Sequence, residues 1–280
     1  MPRARPTVVV VPPLTLMCVH AHPDDEAIST GGVLARYAAE GIETVLVTCT
    51  NGELGDGAGG ARPGSPGHTE QEVVATRLAE LEASCAALDV GHLELLGYHD
   101  SGMAGWPHND APEAFWHVDV DAAAERLAGL MARYRPQVVV TYDERGFYGH
   151  PDHVQAHRVT MRAIEWSGVC DKLYYPAVPR TAIPRVAELL AARGVHVPAE
   201  IADAPFATPD EEIGAVVDCS AVAAAKYASL SAHASQAEHI FFVSLGEEVF
   251  AEAFSKEAFV RAHDRTGRKG VEVDLFSGLR

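Results

Sequence analysis

The chain has 280 residues, 48% of them hydrophobic and 22% charged, and a formal net charge of −17. That length supports a sizeable core, as one large domain or two modest ones. So acidic a surface excludes a nucleic-acid backbone or an anionic membrane as the main partner, because both select basic proteins.

Residues 1–13 carry two arginines and a short valine run closed by Pro12-Pro13, and are expected to form a short leader. The apolar run is too short for a signal-peptide core, and no stretch approaches the roughly 20 apolar residues of a membrane span. Residues 14–19 read as a buried strand, 32–40 as a helix and 43–50 as a second strand. Residues 69–88 form an amphipathic helix pattern, with Val73, Val74, Leu78, Leu81 and Cys85 near helical spacing. A short strand at 92–96, a helix at 119–134, a β-branched strand at 137–142 and a helix at 150–166 follow. Beyond these, 172–175 and 213–217 are expected as strands, and 181–193, 220–236 and 247–262 as helices.

This alternation predicts an α/β fold, a mostly parallel sheet flanked by helices. With neither an internal repeat nor a clear linker, 14–280 is expected to be a single domain, with a core at 14–170 and a C-terminal extension at 171–280. Cys18, Cys49, Cys85, Cys170 and Cys219 are scattered and odd in number. Neither a disulfide framework nor an all-cysteine zinc site is expected, and a reducing cytoplasm is the expected compartment. Two loops stand out. Residues 51–67 hold seven glycines and two prolines, and 97–116 carry Gly, Pro, Asp, His and two Trp. Both follow expected strands, at the sheet edge where parallel α/β proteins bind ligands. The second loop and the chain after Lys172 are therefore expected to wall the pocket.

Two motifs carry chemistry. His20-Ala21-His22-Pro23-Asp24-Asp25-Glu26 follows the first strand, and Tyr148-Gly149-His150-Pro151-Asp152-His153 follows the strand at 137–142. A single His is usually a surface or core residue, and an acidic run is usually a solvated helix start. Two His-Pro-Asp tripeptides, each after a strand and each followed by a further Asp or His, favour a divalent metal site instead. Three protein ligands and one water is the pattern of catalytic zinc.

In these two motifs the chain resembles the LmbE-like (PIG-L-type) zinc-dependent N-acetylglucosaminyl deacetylases. Within that family it is most similar to the branch of mycothiol metabolism, which holds an inositol deacetylase and a conjugate amidase. Arg77 with Glu80, Asp100-Ser101-Gly102-Met103, Thr141-Tyr142-Asp143 and Ala232-His233-Ala234-Ser235-Gln236 extend the likeness. The resemblance implies a Rossmann-like fold with one zinc per chain (or another divalent ion such as Fe2+) held by His22, Asp25 and His153. It implies Asp24 as general base, His150 stabilising the tetrahedral intermediate in its acid form and protonating the leaving amine, and Tyr148 polarising the carbonyl. Asp152 would orient a ligand His, and Arg77, Asp100, Ser101 and Met103 would contact the sugar. The expected partner is a small amino-sugar conjugate, without nucleic acid or membrane; assembly into a homo-oligomer is left open.

The chemistry agrees with this: amide hydrolysis needs an activated water, a base and a donor for the oxyanion. The substrate is not fixed. Tyr148-Gly149-His150 and Ser29 look like the inositol deacetylase, residues 273–279 look more like the amidase, and related enzymes act on acetylated antibiotics. Among other classes, a nucleotide-binding oxidoreductase lacks its G-x-G-x-x-G turn here. A non-catalytic zinc or sugar-binding protein would ordinarily close its metal with four ligands, and a phosphoesterase would want two metals. Glu53 is considered as facing the site, His233 as structural, and Trp106 and Trp116 as stacking on a sugar or pinning their loop.

Overall fold

The computed structural model describes residues 13–195 and 206–280, with the side chains of 237–240 excepted. The expected leader, apart from Pro13, lies outside the described residues. Strand β1 (Thr15–His20) is buried at every position. A strand covered on both faces has no polar alternation, which is why its sequence is one apolar run. It pairs in parallel with β2 (Glu43–Thr50) on one side and β4 (Val138–Val140) on the other. Beyond β2 lies β3 (His92–Tyr98), and beyond β4 lies β5 (Lys172–Ala177), both parallel to their neighbours. With β6 (Ile213–Asp218) and β7 (Lys256–Asp264) the seven-stranded order is β3-β2-β1-β4-β5-β7-β6. Strand β7 is antiparallel to both β5 and β6, so it alone runs against the rest.

Successive side chains of a strand face opposite ways, and here each face meets its own core. Leu16 and Cys18 of β1 pack with Val33, Leu34 and Tyr37 of α2 (Gly31–Ala39) and with Leu81 and Leu88 of α3 (Glu70–Leu88). Met17 and Val19 pack with Leu127 and Met131 of α4 (Val120–Tyr134) and with Ala156 and Val159 of α5 (Pro151–Ser167). A short helix, α1 (Asp25–Ser29), links β1 to α2. The extension adds α6 (Ala182–Ala192), α7 (Ala223–Ala232), α8 (Ala237–Ser244) and α9 (Gly246–Phe254). Among the described residues, no helix is long and apolar enough to cross a membrane.

The helix expected over 247–262 is corrected: it ends at Phe254, and 256–264 form β7. Its Lys, Glu, Ala and Arg content permits a helix, but backbone pairing with strands on both sides outweighs that local preference. The helix expected over 220–236 runs only from Ala223 to Ala232, after a 3-10 turn, and His233 to Gln236 leave it to meet the glycine-rich loop. The strand expected over 137–142 narrows to Val138–Val140, which frees Thr141 and Tyr142 to donate and accept below the first motif.

Glu257 of β7 ties the extension to the core. Its carboxylate accepts the N–H groups of Gly32 and Val33 (2.7 and 2.8 Å), at the positive end of α2, and pairs with Lys226 Nζ of α7 at 2.7 Å. Both charges are buried, Glu257 at 5% and Lys226 at 3% exposure. Removing one member of such a pair leaves the other uncompensated. Glu257→Ala is therefore expected to destabilise the fold by about 3–5 kcal/mol, read as a lower midpoint in urea unfolding; a midpoint within error of the parent rules out this tie.

Candidate active site

Strands β1 and β4 are neighbours, although β2 and β3 intervene in sequence, so the winding of the chain reverses between them. Such a switch point leaves a crevice at the carboxyl ends of the strands. His20 closes β1 and Val140 closes β4, and both motifs depart from those ends.

The first motif turns sharply into α1. Asp24 is the residue before that helix, and its φ of 136° lies in a region that side-chain-bearing residues rarely adopt. Its carboxylate does not cap α1; it meets Arg77 Nη2 at 2.9 Å. Arg77 is 4% exposed and also donates to Pro23 O (2.7 Å) and Gly52 O (3.0 Å). Burial would lower the Arg77 guanidinium, and Asp24, Asp100 and Asp25 around it reverse that and raise it.

Asp25 stands between two imidazoles. Its Oδ2 lies 3.3 Å from His22 Nδ1, and its Oδ1 lies 3.3 Å from His153 Nε2. Burial would raise the Asp25 carboxyl, but His153 and His22 beside it hold it well below the usual carboxylate range. The far nitrogen of His22, Nε2, contacts Asp152 at 3.2 Å and Asp100 at 3.7 Å. These acids overcome burial, which alone would lower it, and raise His22 well above its ordinary value. His22, His150 and His153 each bring one ring nitrogen within 4.8 Å of the others. A second group, His22, Asp100, His150 and Asp152, meets the same limit.

His153 stacks on Tyr142, with ring centroids 4.0 Å apart and planes 15° apart. Neither of its ring nitrogens has a hydrogen bond, although both are buried. Buried polar atoms are nearly always partnered, and a fixed imidazole facing a carboxylate from 3.3 Å is a fitting half of a metal site. The residues present therefore fit a divalent ion.

His150 caps α5, followed by Pro151 at the first helical position, and its Nδ1 accepts the N–H of Asp152 at 3.1 Å. That bond leaves the proton on Nε2. Burial, with His22 and His153 adding to it, pushes the imidazole down to about 2, so it is neutral across the physiological range. Tyr148 lies 45% exposed above the site, its ring 4.9 Å from His153 and 6.2 Å from His150.

The remaining candidates divide. Asp152 is fully buried and receives the N–H of Ser101 at 2.9 Å as well as its hydroxyl. Ser101 is itself fully buried, and Asp100 (4% exposed) accepts from Gly102 N at 2.7 Å. Met103 is 39% exposed at the loop surface. Glu53 is spent within the loops, accepting from Asn51 and from the Asp100 N–H. Trp116 carries Arg158 over its ring at 4.7 Å, and Trp106 packs closely on Gly102, so both pin their loop. A largely apolar cavity of about 890 Å³ opens beside Tyr148, lined by Ile28, Phe147, Pro176 and Phe206 among others, with no contribution from 97–116. Of the site's frame, Ser84 carries no signal in the sequence, while Glu26 stands in the first motif and Tyr142 in the family likeness without a role being assigned to either.

The profile of the PIG-L family, described as GlcNAc-PI de-N-acetylase, matches residues 17–164. A protein of Acidothermus cellulolyticus named 1D-myo-inositol 2-acetamido-2-deoxy-alpha-D-glucopyranoside deacetylase is 42% identical over 277 residues, covering 95% of each chain. In fold, the chain is similar to N,N'-diacetylchitobiose deacetylase from Pyrococcus horikoshii, with a TM-score of 0.57 and 17% identity over 88% of this chain and 83% of that one. It is also similar to the 4-carboxy-2-hydroxymuconate hydratase of Pseudomonas putida, with a TM-score of 0.61 and 21% identity over 92% and 99% of the two chains. The profile match spans more than half of the sequence and the Acidothermus relative nearly all of it, and the chain belongs to the PIG-L family of GlcNAc-PI de-N-acetylases.

Proposed function

We propose that this chain is a zinc-dependent hydrolase that removes the acetyl group from an N-acetylglucosaminyl-inositol conjugate. The observation that carries the reading is the Asp25 carboxylate between His22 Nδ1 and His153 Nε2, the latter buried without a hydrogen bond. The substrate comes from relatives named as deacetylases of that glucosaminyl-inositol. His22, Asp25 and His153 would hold one zinc ion per chain. What zinc supplies when bound is Lewis-acid activation of the attacking water and of the amide carbonyl.

The chain's own groups do the rest. Asp24 would receive the proton of the attacking water and pass it to the amide nitrogen as the C–N bond breaks, so that the amine leaves protonated, with Arg77 holding its other side. His150 donates its Nε2 proton in a hydrogen bond to the oxygen on which charge develops, and Tyr148 adds a second donor from above. Asp152 fixes the ring of His22, a support that metal-bound imidazoles commonly have. Ser101 acts on Asp152, while Asp100 and Met103 face the sugar side. Arg77 is assigned mainly to the hold on Asp24, given its buried contacts. The unbroken sheet from β3 to β6 supports reading 14–280 as one folding unit, with the extension walling the cavity beside Tyr148. Five buried unpaired cysteines favour a cytoplasmic setting.

A panel of N-acetylglucosamine conjugates, assayed for released acetate, tests the reading; the inositol conjugate is expected to be turned over best. No acetate from any member, or full activity after exhaustive chelation, refutes it. His153→Ala is expected to lose most bound metal, and full occupancy would remove it from the ligands. Asp24→Asn should keep metal and lose about 10²–10⁴ in kcat. Near-normal turnover by that variant with metal bound sinks the assignment of Asp24 as base. His150→Ala is expected to cost about 10²–10³ in kcat, evenly between pH 6 and 9, because a group titrating near 2 contributes no limb there. Loss of an alkaline limb in that variant would return His150 to the role of an acid.

A further inference from the structure

Asp24 departs from the ordinary behaviour of a residue that opens a helix. An aspartate there normally has extended backbone and turns its carboxylate onto the helix's own N–H groups. With φ at 136° the carboxylate of Asp24 is instead carried off the helix axis, toward Arg77 and the crevice. Such a conformation persists only when its surroundings enforce it.

The enforcement comes from below. Glu26 Oε2 accepts the backbone N–H of Asp24 at 3.0 Å, as if half of a capping box reached back onto it. The other oxygen, Oε1, is held by His233 Nε2 at 2.7 Å and by the Ser84 hydroxyl at 2.5 Å, and Ser229 lies 2.7 Å from Ser84. Glu26, Ser84, Ser229 and His233 are all fully buried. Ser84 of α3 and His233 of the turn after α7 touch the Glu26 carboxylate of α1 directly, and Ser229 of α7 supports Ser84. A buried ionised carboxylate is costly unless its oxygens are satisfied, and here every contact that satisfies Glu26 also fixes where it can stand.

We propose that Glu26, clamped by His233 and Ser84, is the positioning residue that holds Asp24 in its left-handed conformation and so aims the base at the amide. This rests on the reading of Asp24 as base. Glu26 and His233 touch neither substrate nor metal; they act through the backbone of Asp24. Their loss should change the rate of the chemical step and leave binding alone.

The test is a double-mutant cycle on the metal-loaded protein, with kcat, KM and bound metal measured on each variant and thermal unfolding as a fold control. Glu26→Gln and His233→Ala are each expected to lower kcat about 10²-fold, the cost of displacing a reacting group by about 1 Å. KM and metal content should stay at parent values. His233→Gln, whose side-chain N–H reaches the place of the lost Nε2, should recover most of the rate. In an Asp24→Asn background the same Glu26→Gln change should cost little further, because residues that act through one group are not additive. An equal fold-loss in both backgrounds, loss of metal together with activity, or no loss at all overturns the proposal. If Glu26→Gln does not fold, Ser84→Ala, which removes one donor to the same oxygen, takes its place in the cycle. A failure of the base assignment is seen separately, as normal turnover in Asp24→Asn alone, and that result overturns this proposal with it.

Discussion

The contact of Asp25 with His22 and His153 is the point on which the rest of the structure turns, because it joins two segments some 130 residues apart in a largely buried place. The parallel pairing of β1 with β4 brings those segments to one crevice, and the reversal of winding there keeps any helix from filling it. Everything nearby meets the cost of burying charge. Asp100 and Asp152 are nine-tenths buried or more, and each is surrounded by N–H groups, a hydroxyl or an imidazole. The excess of carboxylate around His22 is what raises that imidazole, and the same excess is what would hold a cation of higher charge.

What could be read in the sequence was what is local. His22-Pro23-Asp24-Asp25 and His150-Pro151-Asp152-His153 are short, rigid and follow apolar runs, which sets them apart locally, and the alternation of apolar runs with helical patterns predicts the parallel sheet that is observed. The strands β1 and β2 were legible for the same reason, as burial on both faces writes itself as an unbroken apolar run. What was not legible depends on partners far along the chain. His233 meets Glu26 across 207 positions, and no periodicity marks either residue as belonging to the other. Ser101, expected at the sugar, is fully buried, its hydroxyl donating to Asp152 and accepting the Trp116 N–H, a matter of how the loop 97–116 folds back. Strand β7 has the composition of a helix and takes its form from two neighbours that sequence windows do not contain.

The hydratase of similar fold is a reminder that this sheet carries more than one chemistry. Function therefore has to be argued from the crevice. There the glycine-rich loop after β2 has a structural part: Gly52 (φ 72°) and Gly55 leave so little room beside Arg77 that a Cβ at either would stand 2.5 Å from its guanidinium. A side chain at either would push Arg77 off Asp24, which ties the composition of a surface loop to the hold on one carboxylate.

The two adjacent aspartates show how one dipeptide can serve two ends. In ordinary backbone, successive side chains of a turn entering a helix crowd the same first turn, and both acids would compete for its free N–H groups. Reversing φ at Asp24 alone separates them: Asp25 stays at the helix start facing the imidazoles, and Asp24 swings to Arg77. Glycine would adopt this conformation at less cost, but it has no carboxylate to offer. The structure accepts strain at a residue that must carry a functional group, and the buried Glu26–His233–Ser84 cluster supplies the contacts that sustain it. That cluster acts on Asp24 through its backbone N–H, so the energy of burying one carboxylate sets the geometry available to another.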